Sequence, residues 1–308
     1  MAERDVDWYE GKLAVVTGGG SGMGRELVRQ LAARGCSVAA CDWNDDAVAE
    51  SAAKAQAGAP DGVLVSGHAC DVSEEAQVLQ FRDELQRQHA ADHVDLVFSN
   101  AGIGGGSSFV TSSREEWERT FAVDWWGVYY CARTFLPLLI PSGDGVLINT
   151  SSVNGFWASL GPKMPNSAYA TAKFAVKGFT EGLIEDLRTN APQVRAVVVM
   201  PGHVGTDIIA NTRRAHGMSE PGQLEARIET GFRERAPLTA AEAATIILDG
   251  VQSGTWRILV GRDAEALDAA VRANPEGAYS YAKLATAAVT RSVERGAARL
   301  VRRLFEYR

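Results

Sequence analysis

An apolar run from Leu13 to Val16 feeds into Thr17-Gly18-Gly19-Gly20-Ser21-Gly22-Met23-Gly24, and a helical pattern from Arg25 to Arg34 leaves it. Strand, glycine loop and helix in that order point backbone N–H groups at an anion. Each glycine has a task. Gly18 permits the tight turn off the strand, Gly22 lets a pyrophosphate approach the backbone, and Gly24 lets the new helix pack closely on the sheet. The spacing is G-x-x-x-G-x-G, not the G-x-G-x-x-G of the standard dinucleotide fingerprint.

The second strand, Ser37 to Asp42, ends in an acid about 20 residues beyond the glycines, where a carboxylate can hydrogen-bond ribose hydroxyls and repel a 2′-phosphate. Trp43 follows it, and Ser21 stands where a base could have gripped that phosphate. The reading is NAD over NADP. Asp42 also precedes the helical run Ala47 to Gln56, so a capping role stays open. A third strand, Val63 to Cys70, leads to Asp71-Val72 and a helix for which Ser73 is the expected N-cap. Asp71 is placed to contact adenine or to start that helix. His89 and His93 stand four apart near its end, which is metal-ligand spacing, but no further ligand falls in register and a solvated helix end is expected.

Val94 to Ser99 is the fourth strand and runs into Asn100-Ala101-Gly102, where ligands bind in doubly wound sheets. A long helix is expected from Arg114 to Leu139, ended by Pro137 and Pro141 and loaded with Trp117, Phe121, Trp125, Trp126, Tyr129 and Tyr130. Gly145 to Ser151 is the fifth strand and ends in Ser151-Ser152. An apolar loop with Phe156, Trp157, Leu160, Pro162 and Met164 follows, and a helix starts at Ser167. The sixth strand is Val194 to Met200. Residues 203–236 read as a lid of short helices, with Ile208, Ile209, Met218, Leu224 and Phe232 facing a hydrophobic substrate. A helix capped by Thr239 and a last strand, Trp256 to Val260, close the sheet. Strands alternating with helices throughout make one α/β domain, 10–262. A helical extension, 263–308, follows the turn Asn274-Pro275-Glu276-Gly277.

Tyr169 and Lys173, at i and i+4, share one helix face. An ammonium beside a phenol, together with the positive nicotinamide ring of NAD⁺, favours the phenolate and lowers its pKa, so the tyrosine can exchange a proton with an alcohol or ketone near neutral pH. Ser152 can hold the reacting oxygen. Taken together, these residues resemble the short-chain dehydrogenase/reductase family. The matching motifs are the glycine loop 17–24, Asp71, Asn100-Ala101-Gly102, Ser152, Tyr169/Lys173 and Pro201-Gly202-His203-Val204-Gly205-Thr206. The resemblance implies a doubly wound Rossmann fold, with a mainly parallel seven-stranded sheet and helices on both faces. It implies Tyr169 as acid/base, Ser152 orienting substrate, Lys173 binding nicotinamide ribose, and Val204 and Thr206 holding the carboxamide. It also implies a homodimer or homotetramer built on the two long helices. Where the family usually has an asparagine that holds a relay water, this chain has Asp124. Its charge is expected to favour the Lys173 ammonium.

The net charge of −7 gives no basic face for nucleic acid. Met1 to Tyr9 lack the apolar stretch of a secretory signal, no apolar run reaches the ~18 residues of a membrane span, and the four cysteines have no paired spacing. The expectation is a cytoplasmic NAD-dependent oxidoreductase acting on a bulky hydrophobic alcohol or ketone. The alternatives are an NAD-binding scaffold, or lyase or epimerase chemistry on the same fold. The last run, with Val289, Val293, Leu300, Leu304 and Phe305 amid arginines, reads as a basic helix that covers a neighbouring subunit or the substrate lid, with contact to an anionic membrane surface as the less favoured reading.

Overall fold

Alternate residues of the central strands bury on opposite faces, which is why the strands are apolar throughout. In β1 (Leu13–Thr17) Ala14 and Val16 join one core, and Leu13 and Val15 the other. A computed structural model describes residues 7–160 and 164–279. The strands β1, β2 (Ser37–Asp42), β3 (Val65–Ala69), β4 (Leu96–Ser99), β5 (Gly145–Thr150), β6 (Val194–Pro201) and β9 (Arg257–Val260) form one sheet in the order β3-β2-β1-β4-β5-β6-β9. Every pairing in it is parallel. The expected doubly wound Rossmann sheet is therefore present. Its strand order reverses between β1 and β4, and the crevice at that switch point is where such sheets bind ligands.

The first core holds residues of α1 (Gly22–Ala33), α2 (Asp45–Ala57) and α9 (Ala240–Gln252). The second holds those of α3 (Glu75–Gln88), α5 (Gly127–Leu139) and α6 (Ser167–Asn190). Thr239 caps α9 in a full capping box with Glu242. Lid helices α7 (Ile208–Ala215) and α8 (Gln223–Glu234) lie between two short paired strands, β7 (Val204–Gly205) and β8 (Leu238–Thr239). Helix α10 (Arg262–Ala273) and a 3-10 turn, Gly277–Tyr279, follow β9. The basic helix expected beyond them, and Pro162, lie outside the described residues.

Several local expectations change. Glu74, not Ser73, is the N-cap of α3, because the Ser73 hydroxyl is taken by Asp71 and Arg119. His89 is the C-cap of α3 and bonds Ser66, while His93 lies beyond the helix beside Asp92, so the two do not share a helix face. Among the described residues no His/Cys/Asp/Glu group could hold a metal. Pro137 sits inside α5 instead of ending it. The long helix is α4 (Arg114–Phe121) and α5 joined by a π turn, Ala122–Trp126, with Asp124 at its centre. The four cysteines are free and buried. Among the described residues no helix is long and apolar enough to cross a membrane.

Candidate active site

Thr17 ties the two lips of the switch-point crevice. Its Oγ1 accepts the N–H groups of Asn100 and Ala101, each at 3.0 Å, and Asn100 Nδ2 donates to the Thr17 carbonyl at 3.1 Å. Gly18 has φ +69, and a Cβ there would lie 2.9 Å from Ala101 Cα, so the turn requires glycine. Gly22 has φ +51 and faces Thr206 from across the cleft, while Gly24, in the first turn of α1, packs on Gly18. Met23 is half-buried beside them.

Asp42 does not cap α2; Asn44 does, accepting from Ala47. The Asp42 carboxylate accepts Gly20 N–H and Asn44 N–H, each at 3.0 Å. Burial raises its pKa against those hydrogen bonds and Arg25. Trp43 beside it is half exposed. An extended dinucleotide fits this cleft. The glycine cradle has room for an anion, Asp42 stands beside it with its carboxylate on Gly20 N–H, and Asn100 Oδ1 is buried with no partner among the described residues.

Asp71 sits in the turn that leads into α3, the helix-starting place that is one of its two expected roles, and it also takes an ion pair that spacing does not reveal. Its Oδ2 pairs with Arg119 at 2.7 Å, and its Oδ1 accepts from the Ser73 hydroxyl and N–H. Burial works to raise this carboxyl, but the hydrogen bonds from Arg119 and Ser73 hold it below the ordinary value. An adenine contact through that carboxylate would compete with Arg119. Val72 is buried next to it.

Ser152 leaves the end of β5, and Tyr169 and Lys173 project from the first two turns of α6. Lys173 Nζ lies 5.4 Å from the Tyr169 ring centroid, and the Ser152 hydroxyl is near enough to the phenol to favour its ionised form. The ammonium donates to the Thr150 carbonyl at 3.3 Å and pairs with Asp124 Oδ1 at 2.8 Å. Asp124 is 0% exposed and Lys173 2%. Burial pushes the Asp124 carboxyl up to about 6 against the pull of Lys173. Burial opposes the Lys173 ammonium, yet Asp124 and Tyr169 together hold its pKa above the ordinary value. Among the protein's own groups the depression of the Tyr169 pKa expected from Lys173 is outweighed. Burial raises it, Lys173 opposes, Asp124 adds to the rise, and the net direction is up.

Gly102 makes room for the ion pair: a Cβ on it would lie 2.6 Å from Asp124 Oδ1 and 3.2 Å from Lys173 Nζ. Gly102→Ala is expected to destabilise the fold by about 1–3 kcal/mol, the cost of overpacking. Equilibrium urea unfolding checks this, and an unchanged midpoint would contradict it.

Spacing alone does not reveal four further contributors. Asp263 of α10 accepts the His203 N–H at 2.6 Å and fills the space over Gly202, bracing the turn between Pro201 and the buried Val204. Lid helix α7 docks by Asn211 Nδ2 on Ser21 Oγ at 2.9 Å and by Thr212 Oγ1 on Gly104 N–H at 2.7 Å. Arg119 holds Asp71. Each is a contact between elements distant in sequence, for which neither periodicity nor motif spacing gives a signal.

Fold and site together define the class: a Rossmann-type α/β protein with a Ser/Tyr/Lys cluster at the carboxyl edge of its sheet. A family model described as short chain dehydrogenase matches residues 12–217. SadH of Mycobacterium tuberculosis, which carries the name of an oxidoreductase, is 36% identical over 284 residues, 92% of this chain and 97% of SadH. Dehydrogenase/reductase SDR family member 11 of Gallus gallus is 30% identical over 203 residues, 65% of this chain and 78% of that protein. A short chain dehydrogenase/reductase from Burkholderia phymatum, solved in complex with NAD, superimposes with TM-score 0.75 at 28% identity, covering 88% of this chain and 95% of that one. The chain belongs to the short-chain dehydrogenase/reductase family of oxidoreductases.

Proposed function

We propose that this protein is an NAD-dependent dehydrogenase/reductase that interconverts a bulky hydrophobic secondary alcohol and its ketone. The observation that carries the reading is the convergence of Ser152, Tyr169 and Lys173, with Asp124 behind them, on the crevice beside the glycine cradle. Gly18, Ser21, Gly22, Met23 and Gly24 would hold the pyrophosphate. Asp42 and Trp43 would hold the adenosine ribose end, Asp71 and Val72 the adenine end, and Asn100, Ala101 and Gly102 the centre. Lys173, Pro201, Gly202, Val204 and Thr206 would hold the nicotinamide end. When bound, NAD supplies the hydride acceptor and donor. Tyr169 then exchanges the hydroxyl proton of the substrate, Ser152 orients the reacting oxygen, and Lys173 stabilises the phenolate form against burial.

An apolar substrate is supported by the exposed apolar side chains of the loop after Ser152 and of the lid segment: Leu160, Met164, Met218, Leu224 and Ile228. The exposed Trp126 and Phe174 of the π turn and α6 suit contact with a second copy of this chain. The division into a domain 10–262 and an extension 263–308 is part of the same reading, as is a cytoplasmic place.

The test is NADH formation across a panel of hydrophobic secondary alcohols, with NAD⁺ and NADP⁺ compared. Silence across the panel with tight NADH binding would favour the scaffold reading. Asp42 also makes a sharper expectation. NADH should bind at least about tenfold more tightly than NADPH, and Asp42→Ala should narrow that ratio, because the repelling carboxylate is gone. Fluorescence titration of the two cofactors reads the ratio directly, and equal affinities in the wild type would show that Asp42 does not discriminate.

A further inference from the structure

The described part of the C-terminal extension reaches back to Ser152 through an unbroken run of hydrogen bonds. Trp157 is 7% exposed and packs with Ala278 against Leu267, Ala270 and Val271 of the extension. Its indole Nε1 donates to the Ala278 carbonyl at 2.9 Å. The neighbouring Ala158 N–H donates to the Tyr279 hydroxyl at 3.1 Å. Inside the same loop, the buried Asn154 spends its side-chain amide on the carbonyls of Trp157 and Ser159, at 2.8 and 2.9 Å. The backbone N–H of Asn154 donates to Ser152 Oγ at 3.1 Å. That last bond occupies an acceptor lone pair of the serine from the loop side. The hydroxyl proton is left to point away from Asn154, towards Tyr169 and the cleft.

The base of the extension is fastened independently. Asp268 of α10 takes a two-pronged hydrogen bond from Arg257 of β9, at 2.5 and 3.1 Å, and Arg257 stacks over Phe156 in the Ser152 loop. The loop is thus held at Phe156 by a residue of the last strand and at Trp157 and Ala158 by the segment that follows it.

We infer that Trp157 and Tyr279 are positioning residues, through which the C-terminal extension fixes the rotamer and donor direction of the Ser152 hydroxyl. The inference rests on the role proposed for Ser152. It makes the extension part of the catalytic apparatus although it contributes no group to the chemistry. A loop left to itself would sample several conformations, and each departure of Asn154 would release the serine hydroxyl to turn.

The experiment compares the full-length wild type with Trp157→Phe and Tyr279→Phe. The first variant keeps an aromatic ring and loses the N–H donor. The second loses only the hydroxyl of a side chain that is 48% exposed, and so keeps the test open if the first does not fold. Hydrogen exchange is followed in peptides spanning 152–160, with a peptide from α1 as the control for global stability. Exchange in 152–160 is expected to rise about tenfold in each variant while α1 is unchanged. Unchanged exchange in 152–160, or an equal rise in α1, overturns the inference. With an active alcohol, kcat is expected to fall roughly fivefold, the scale of one net hydrogen bond, while the NADH dissociation constant stays constant. A weakened NADH affinity with unaltered kcat also overturns it. A wild type that oxidises no alcohol would instead remove the function proposed above, and the exchange data would still decide whether the extension pins the loop.

Discussion

Tyr169→Phe is expected to reduce kcat/KM for alcohol oxidation by about 100- to 10,000-fold, the range for loss of a positioned acid/base, without weakening NADH binding. The phenylalanine ring fits the same space on α6. The only atom removed is the phenol oxygen, which the Ser152 hydroxyl and the Lys173 ammonium both act on. The size of the loss follows from what remains. Ser152 can still accept and donate a hydrogen bond, but a serine hydroxyl is not a base near neutral pH. The Lys173 ammonium is tied to Asp124 and the Thr150 carbonyl. The raised pKa of Tyr169 adds a direction. In the protein alone the phenol is protonated at neutral pH, which is the form that reduces a ketone. Oxidation requires the phenolate and should therefore accelerate as pH rises, with the charge of an oxidised nicotinamide helping. Initial rates in both directions, with NADH fluorescence titration of the variant, measure all of this. A Phe variant within tenfold of wild type would mean that the proton is handled elsewhere.

Much of this site is legible in the amino-acid sequence, for identifiable reasons. The glycine loop is a local device: strand, turn and helix must follow one another within about a dozen residues, so their order in the chain is their order in space. Tyr169 and Lys173 are legible because an i, i+4 pair on a helix is a neighbour by construction. The parallel sheet shows in strands buried on both faces, such as β1 with Ala14 and Val16 on one side and Leu13 and Val15 on the other. What spacing hides depends on tertiary placement. The π turn at Asp124 inserts one residue into a helix whose apolar pattern tolerates the slip. Arg119 reaches Asp71 from 48 positions away, and Asp263 reaches His203 from 60. The sign of the Tyr169 shift is hidden for the same reason. Spacing supplies the ammonium that lowers the pKa, but only the packed fold supplies the burial that outweighs it.

Asp124→Asn should shift the pH–rate profile for oxidation to lower pH, while preserving turnover. The buried carboxylate raises the pKa of both Lys173 and Tyr169, so a neutral amide in its place lets both fall. A lower phenol pKa makes the base available at lower pH, which fixes the direction of the shift. Stability gives a second, independent sign. The Asp124 carboxyl is pushed up from 3.8 to about 6 in the folded protein. A group raised in this way contributes stability that is fully present below its unfolded value and is lost as pH climbs through its folded value. Asparagine cannot ionise, so the variant should gain on the wild type in denaturant midpoint as pH rises from about 4 through about 6. The ion pair is thus held at a cost, which burial of both partners explains. Asp124→Leu is the informative contrast. It leaves the Lys173 ammonium without its counter-charge and should cost on the order of 3–5 kcal/mol, whereas asparagine keeps an oxygen for it to donate to. Rate profiles from about pH 5 to about pH 11, read for the pH at which oxidation accelerates, and urea titrations at several pH values distinguish these outcomes. Superimposable wild-type and Asn profiles would show that Asp124 is electrically uncoupled from Tyr169, and the direct Lys173–Asp124 contact would then be structural alone.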